Sequence, residues 1–271
     1  MANAKQIEDK SQEPEDELAG SEAPLLDHLI ELRKRLIYSA VALVVLMMGC
    51  FVFAGGIFDV LLQPYRGVYT GPEQLELIYT APQEFFFTQL NIAFFGAMFL
   101  GFPFIASQIY MFVAPGLYKH ERKAFIPYLV ATPVFFLLGA AMVYFVILPM
   151  ALRFFAGMQT EEIRMLTQVS EYLGLAMTLI LAFGISFQLP VILTLLAQID
   201  LVHVSMLKAG RRYAIVGILI FAAFITPPDP ISQIGLAVPI YLLYELAIIS
   251  VRMIEKRRAA EDAKRAAELA E

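Results

Sequence analysis

An all-α membrane protein of six transmembrane helices, kinked by proline and with both termini cytosolic, is the fold class this sequence predicts, on three observations. The composition is 59% hydrophobic and only 17% charged, with a mean hydropathy of +0.68, more apolar than a soluble globular domain. Runs without Asp, Glu, Lys or Arg recur at lengths that can cross hydrocarbon. Of the 20 Lys and Arg residues, 17 fall in alternate gaps between those runs, and basic gaps face the cytosol.

Taken in order, residues 1–24 are acidic and polar with no apolar core. They read as a disordered cytosolic tail and not as a cleavable signal peptide, so the first span directs insertion. The predicted spans are 36–58, 85–120 broken by a Pro-Gly turn, 124–152, 172–199, 213–228 and 230–244. Four exceed the roughly 20 residues a crossing helix needs. The fifth and sixth are short: residues 213–226 reach only about 21 Å at about 1.5 Å per residue, which implies a locally thinned bilayer or shelter against neighbours. Bases cluster in the N-terminal tail, the second loop (Lys119, Arg122, Lys123), the fourth loop (Lys208, Arg211, Arg212) and the C-terminal tail. The opposite gaps hold only Arg66, Arg153 and Arg164. Residues 25–252 thus form one membrane domain, and 253–271 a charged cytosolic tail, rich in Ala, Glu, Lys and Arg, that reads as a fraying helix.

Bond-making chemistry has no visible seat. A nucleophile with a base, a phosphate-cradling Gly loop and clustered metal ligands are all missing from the sequence, and His28, His120 and His203 stand apart at cytosolic edges. The chain is read as a non-enzyme without metal or cofactor. Cys50 is alone, which rules out an intrachain disulfide, and reads as a small packing residue. At the end of the sixth span the sequence offers Glu245 as the one carboxylate, and within the fourth Gln188 as the notable amide. Glu245, about two turns from Arg252, reads as a partly wet group near the headgroups. Gln188 stands two residues before Pro190, where a proline frees a carbonyl that an amide or a partner helix can satisfy. Pro103, Pro127, Pro133, Pro149, Pro190 and Pro239 bend their helices.

Two cytosolic segments stand out. His28-Leu-Ile-Glu-Leu-Arg-Lys-Arg-Leu36 places Leu25, Leu29, Leu32 and Leu36 at helical spacing with Glu31 and Arg35 as i,i+4 partners, an amphipathic helix at the membrane surface. From composition alone a basic anchor for anionic lipid explains it. Phe112-Val-Ala-Pro-Gly-Leu-Tyr-Lys-His-Glu-Arg122 carries one acid, Glu121, among Lys119, Arg122 and Lys123, which ordinary pairing with those bases explains. In Thr226-Pro-Pro-Asp229 paired prolines stiffen a turn that Asp229 can cap, and Pro64 reads as a structural turn in the first external loop.

Together these segments resemble the TatC family, the polytopic subunit of the twin-arginine protein translocase. The likeness runs from about His28 to Arg252 through HLIELRKRL, APGLYKHER, AFGISFQLP and TPPD, four motifs in order. It implies a receptor at the bacterial cytoplasmic (inner) membrane that binds Arg-Arg signal peptides of folded precursors. It also implies recruitment of TatA-type and TatB-type single-span subunits, self-association in the receptor complex, no nucleic acid, and transport driven by the proton-motive force. Guanidinium groups prefer carboxylates in bidentate geometry that Lys cannot reproduce. By resemblance Glu31 and Glu121 supply those carboxylates, Phe112 lines the adjoining surface, and Arg33, Lys34, Arg35 and Lys119 orient the carboxylates and the precursor. Gln188 falls where many relatives carry Glu, and is expected to hydrogen-bond a partner helix without titrating. The reading from another class is a small-molecule or ion secondary transporter, whose mid-membrane site would have to use Gln188 and Glu245. A third is a structural scaffold for respiratory proteins.

Overall fold

The computed structural model of the chain describes residues 13–69, 77–113, 126–159, 166–225 and 230–268. Helix α1 (Glu13–Val52) begins inside the segment expected as a tail and runs 40 residues. It stops short of the predicted end of the first span, because Phe53 leaves helical geometry (φ −99°, ψ 11°) just before Gly55 and Gly56. Helix α2 (Ala54–Val68) then turns an amphipathic face inward, burying Ala54, Leu61, Leu62, Pro64 and Tyr65. Pro64 is therefore not in a loop. Lacking an N–H, it leaves the carbonyl of Val60 without its helical donor, and the Tyr144 hydroxyl donates to that oxygen at 2.7 Å. The Tyr172 hydroxyl donates to Leu61 O, also at 2.7 Å.

Helix α3 (Glu84–Val113) returns along α1. Helix α4 (Ile126–Met142) passes through a π-helical turn (Val143–Ile147) into α5 (Leu148–Ala156), one long apolar unit with its register shifted in the middle. The fourth predicted span breaks into α6 (Val169–Ser186) and α7 (Leu189–Gln198) at the residues before Pro190. Helix α8 (Val204–Ile225) packs along α9 (Pro230–Glu268). The all-α expectation misses one small element: β1 (Leu77–Ile78) pairs in parallel with β2 (Thr167–Gln168), Leu77 opposite Thr167 and Ile78 opposite Gln168.

Five helical segments are long and apolar enough to span a membrane: His28–Val52, Glu84–Phe112, Pro127–Ala156, Val169–Gln198 and Gln233–Glu268. Residues 213–225 of the predicted fifth span lie in α8, whose Lys208, Arg211 and Arg212 dilute its hydropathy, and 226–228 lie outside the described residues. Both final helices are longer than their charge-free cores: α8 has 22 residues, and α9 continues unbroken through the expected C-terminal tail to Glu268. The charge-free runs are short while the helices that carry them are not.

The principal core joins α2, α3, the π turn, α5 and α6 around Tyr65, Ile92, Val143, Leu148, Leu173 and Phe183, each at most 1% exposed. A smaller one ties α7, α8 and α9 at Leu207, Tyr244, Ile248 and Val251. Helices α4 and α6 approach so closely that a Cβ on Gly139 would lie 2.6 Å from Phe183 O, and one on Gly184 2.5 Å from Phe136 Cε2. By contrast α1 leaves Val44, Val45 and Met48 uncovered, as a lipid-facing helix does.

Glu84, placed outside the spans by its charge, opens α3 as a largely buried carboxylate. It accepts from Thr80 N at 2.7 Å, Thr80 Oγ1 at 3.2 Å and Ser170 N at 3.4 Å, so it satisfies the exposed start of α6. Gln168 Nε2 closes the knot on Thr80 Oγ1 at 2.8 Å.

Candidate functional site

The antiparallel packing of α1 on α3 brings the start of the HLIELRKRL segment against the last turns of α3. His28, Glu31 and Arg35 recur at spacings of three and four on α1, and Gln108 and Phe112 at four on α3, so each set lies along one helical face. The His28 imidazole stacks on the Phe112 ring with centroids 4.2 Å apart and planes 20° apart. Arg35 Nη2 donates to Glu31 Oε1 at 3.1 Å, the predicted i,i+4 pair. Arg35 Nη1 reaches across to Gln108 Oε1 at 3.3 Å, with Met111 Sδ 3.4 Å away.

Gln108 is only 6% exposed, so the guanidinium is held by a fixed acceptor, and Arg35 in turn fixes the Glu31 carboxylate. Side chains of Arg35 and Glu31 remain 27% and 30% exposed. Among the described residues Glu31 Oε2 has no hydrogen-bond partner. The pair thus presents an oriented carboxylate with one oxygen open. A second guanidinium could take that oxygen without first breaking the Arg35 bond.

Arg33 and Lys34 are exposed on the neighbouring face, and Lys34 Nζ lies 5.9 Å from the centroid of the Tyr38 ring. Lys119 and Glu121 of the second loop, and Pro227, Pro228 and Asp229 of the TPPD turn, lie outside the described residues. His28, Gln108 and Met111 were not among the residues singled out from sequence. The i,i+3/i,i+4 register of His28 with Glu31 and Arg35, and of Gln108 with Phe112, was the available signal.

Gln188 is 4% exposed and is engaged inside the chain. Its Nε2 donates to Thr132 O on α4 at 3.0 Å and to Gly184 O at 3.4 Å, while Oε1 is buried with no hydrogen-bond partner among the described residues. Its donor, expected to meet a partner helix, is satisfied by α4 and α6. Glu245 keeps its side chain 28% exposed, in keeping with a partly wet carboxylate, but it is also paired. Arg211 Nη2 of α8 donates to Glu245 Oε2 at 2.6 Å and the Tyr241 hydroxyl to Oε1 at 2.8 Å, pinning α8 to α9.

Fold and site define a multi-pass helical membrane protein that carries an oriented carboxylate–guanidinium cluster at one end of its bundle. The chain belongs to the TatC family: residues 27–239 match that of the Sec-independent protein translocase protein (TatC). The Sec-independent protein translocase protein TatC of Magnetococcus marinus is 45% identical over 241 residues, covering 89% of this chain and 88% of that protein. That of Escherichia coli K12 is 36% identical over 240 residues, covering 88% and 92%. The crystal structure of a twin arginine translocase receptor, TatC, matches with a TM-score of 0.76 at 34% identity over 83% of this chain and 98% of that one.

Proposed function

We propose that this chain is the core receptor and assembly subunit of a twin-arginine translocase in a bacterial inner membrane. It binds Arg-Arg signal peptides of folded precursors at its cytosolic face and recruits TatA-type and TatB-type single-span subunits for export driven by the proton-motive force. Six crossings, with α8 as the fifth, place both termini in the cytosol, in keeping with the distribution of basic residues. The membrane domain is 25–252, flanked by the acidic tail 1–24 and the charged tail 253–271. The chain acts by recognition, with no bond chemistry of its own.

The observation that carries this reading is the open Oε2 of Glu31 beside the Phe112–His28 stack, on a carboxylate held by Arg35 and Gln108. Such a group suits one guanidinium of an Arg-Arg pair. Glu121 takes the second, with Arg33, Lys34 and Lys119 steering the flanking peptide. A mid-membrane transporter site is disfavoured because Glu245 is committed to Arg211 and Tyr241 and Gln188 is packed against α4.

The test is binding of an Arg-Arg signal peptide and its Lys-Lys variant to the purified chain. We expect selectivity for the Arg-Arg peptide, and a loss of about tenfold or more in its affinity on Glu31→Gln or Glu121→Gln, with the Lys-Lys peptide little changed. Equal affinity for both peptides refutes recognition at these carboxylates.

A further inference from the structure

Away from His28 and Phe112, the fold leaves an apolar groove of about 640 Å³ between α2, the middle of α3, α4, the π turn and α6. Its walls include Ile57, Phe95, Leu100, Leu137, Phe145 and Ile180, with Gly56 along one side. The one hydroxyl on the wall, that of Tyr144, is spent on Val60 O. Tyr144 and Phe145 also border a second cavity of about 270 Å³, lined by Gln63, Pro64, Gly67, Pro149 and Arg153. Arg153 lies in the last turn of α5, is exposed, and has no ion-pair partner among the described residues, whereas Arg66 is paired with Asp59 at 3.3 Å.

The shape selects among occupants. The walls run only from Phe95 to Leu100 on α3 and from Leu137 to Phe145 on α4 and the π turn, roughly 10 Å along the helices at about 1.5 Å per residue, so a docked span of about 30 Å would lie mostly outside the groove. An extended peptide would lay its unpaired N–H and C=O groups on a wall that offers no partner. A hydrocarbon chain has neither problem, and a groove open to lipid does not stay empty. Arg153 at the polar mouth, unpaired among the described residues, adds charge complementarity for an anion attached to that chain.

The geometry points to a bound anionic phospholipid, with one acyl chain in the groove walled by Leu100, Leu137 and Phe145 and its phosphate on Arg153. The π turn makes the site. By shifting register at Val143–Ile147 it places Tyr144 against α2 and leaves Phe145, 73% exposed, as the lip between the two cavities.

The chain contains no tryptophan, so a single introduced one is a clean reporter. We reconstitute the full chain carrying Leu100→Trp, at the groove, or Phe224→Trp, which at 87% exposed samples bulk lipid. Quenching by phosphatidylglycerol with brominated acyl chains is compared with that by brominated phosphatidylcholine. At Leu100→Trp the anionic lipid should be favoured about fivefold and at Phe224→Trp not at all. Adding Arg153→Gln should bring the ratio to one. Adding Gly56→Leu, whose Cβ would enter open space, should weaken quenching by both lipids. Equal quenching of Leu100→Trp by the two lipids, or a preference that survives Arg153→Gln, overturns the proposal and leaves ordinary boundary lipid.

Discussion

A single guanidinium sets the geometry of the receptor end. Arg35 bridges Glu31 on its own helix and Gln108 on α3, so the carboxylate's orientation depends on tertiary packing as well as on the i,i+4 spacing that sequence reveals. That is why the Glu31–Arg35 pair was legible and Gln108 was not. Gln188 gives a second lesson at this scale. Its amide was found in the sequence, but its bond to Thr132 O depends on how α4 lies across the break before Pro190. Replacing it with Leu removes that bond and also the unpaired Oε1, so Gln188→Leu should cost no more than about 1 kcal/mol in thermal or denaturant unfolding in detergent. Gln188→Ala should cost about 2 kcal/mol or more, because it adds a cavity to the same loss.

Among the elements, the α4–α6 pair has the least room to adapt. Gly139 faces the backbone carbonyl of Phe183, which cannot rotate out of the way as a side chain tip can. Gly139→Ala should therefore separate the helices and cost about 1–3 kcal/mol, read as a lowered melting temperature in detergent. Gly174, where an added Cβ meets nothing within 4 Å, is the matched control, and Gly174→Ala should be neutral or slightly stabilising. Helix α2 shows why element boundaries were hard to read. Its apolar residues merge with those of α1, so the run alone looked like one span, and only the turn at Phe53 divides a crossing helix from one packed against the bundle end. The bend expected at Pro190 had firmer grounds, because a missing N–H acts locally, although α4 continues as helix through Pro133. Even so, the π turn, with no residue-type signature, was invisible in sequence.

For the whole molecule, the distribution of bases makes a topological prediction. In a Cys50→Ala background, Lys34→Cys and Lys264→Cys should react with a membrane-impermeant thiol reagent only from the cytosolic side, and Gln63→Cys only from the other. Labelling of Lys34→Cys and Lys264→Cys from opposite sides would mean an odd number of crossings, with α8 not spanning. By itself the sequence determined that this is a helical membrane protein, roughly where its spans lie, and to which family its cytosolic motifs point. Hydropathy, base placement and proline act over short stretches of chain, so they can be read there. Tertiary structure alone decided that His28 stacks on Phe112, that Glu84 satisfies the start of α6, that Arg211 neutralises Glu245, and that a groove opens beside Arg153. Each joins residues far apart in sequence, and which of many compatible side chains meet is fixed only when helices settle into contact.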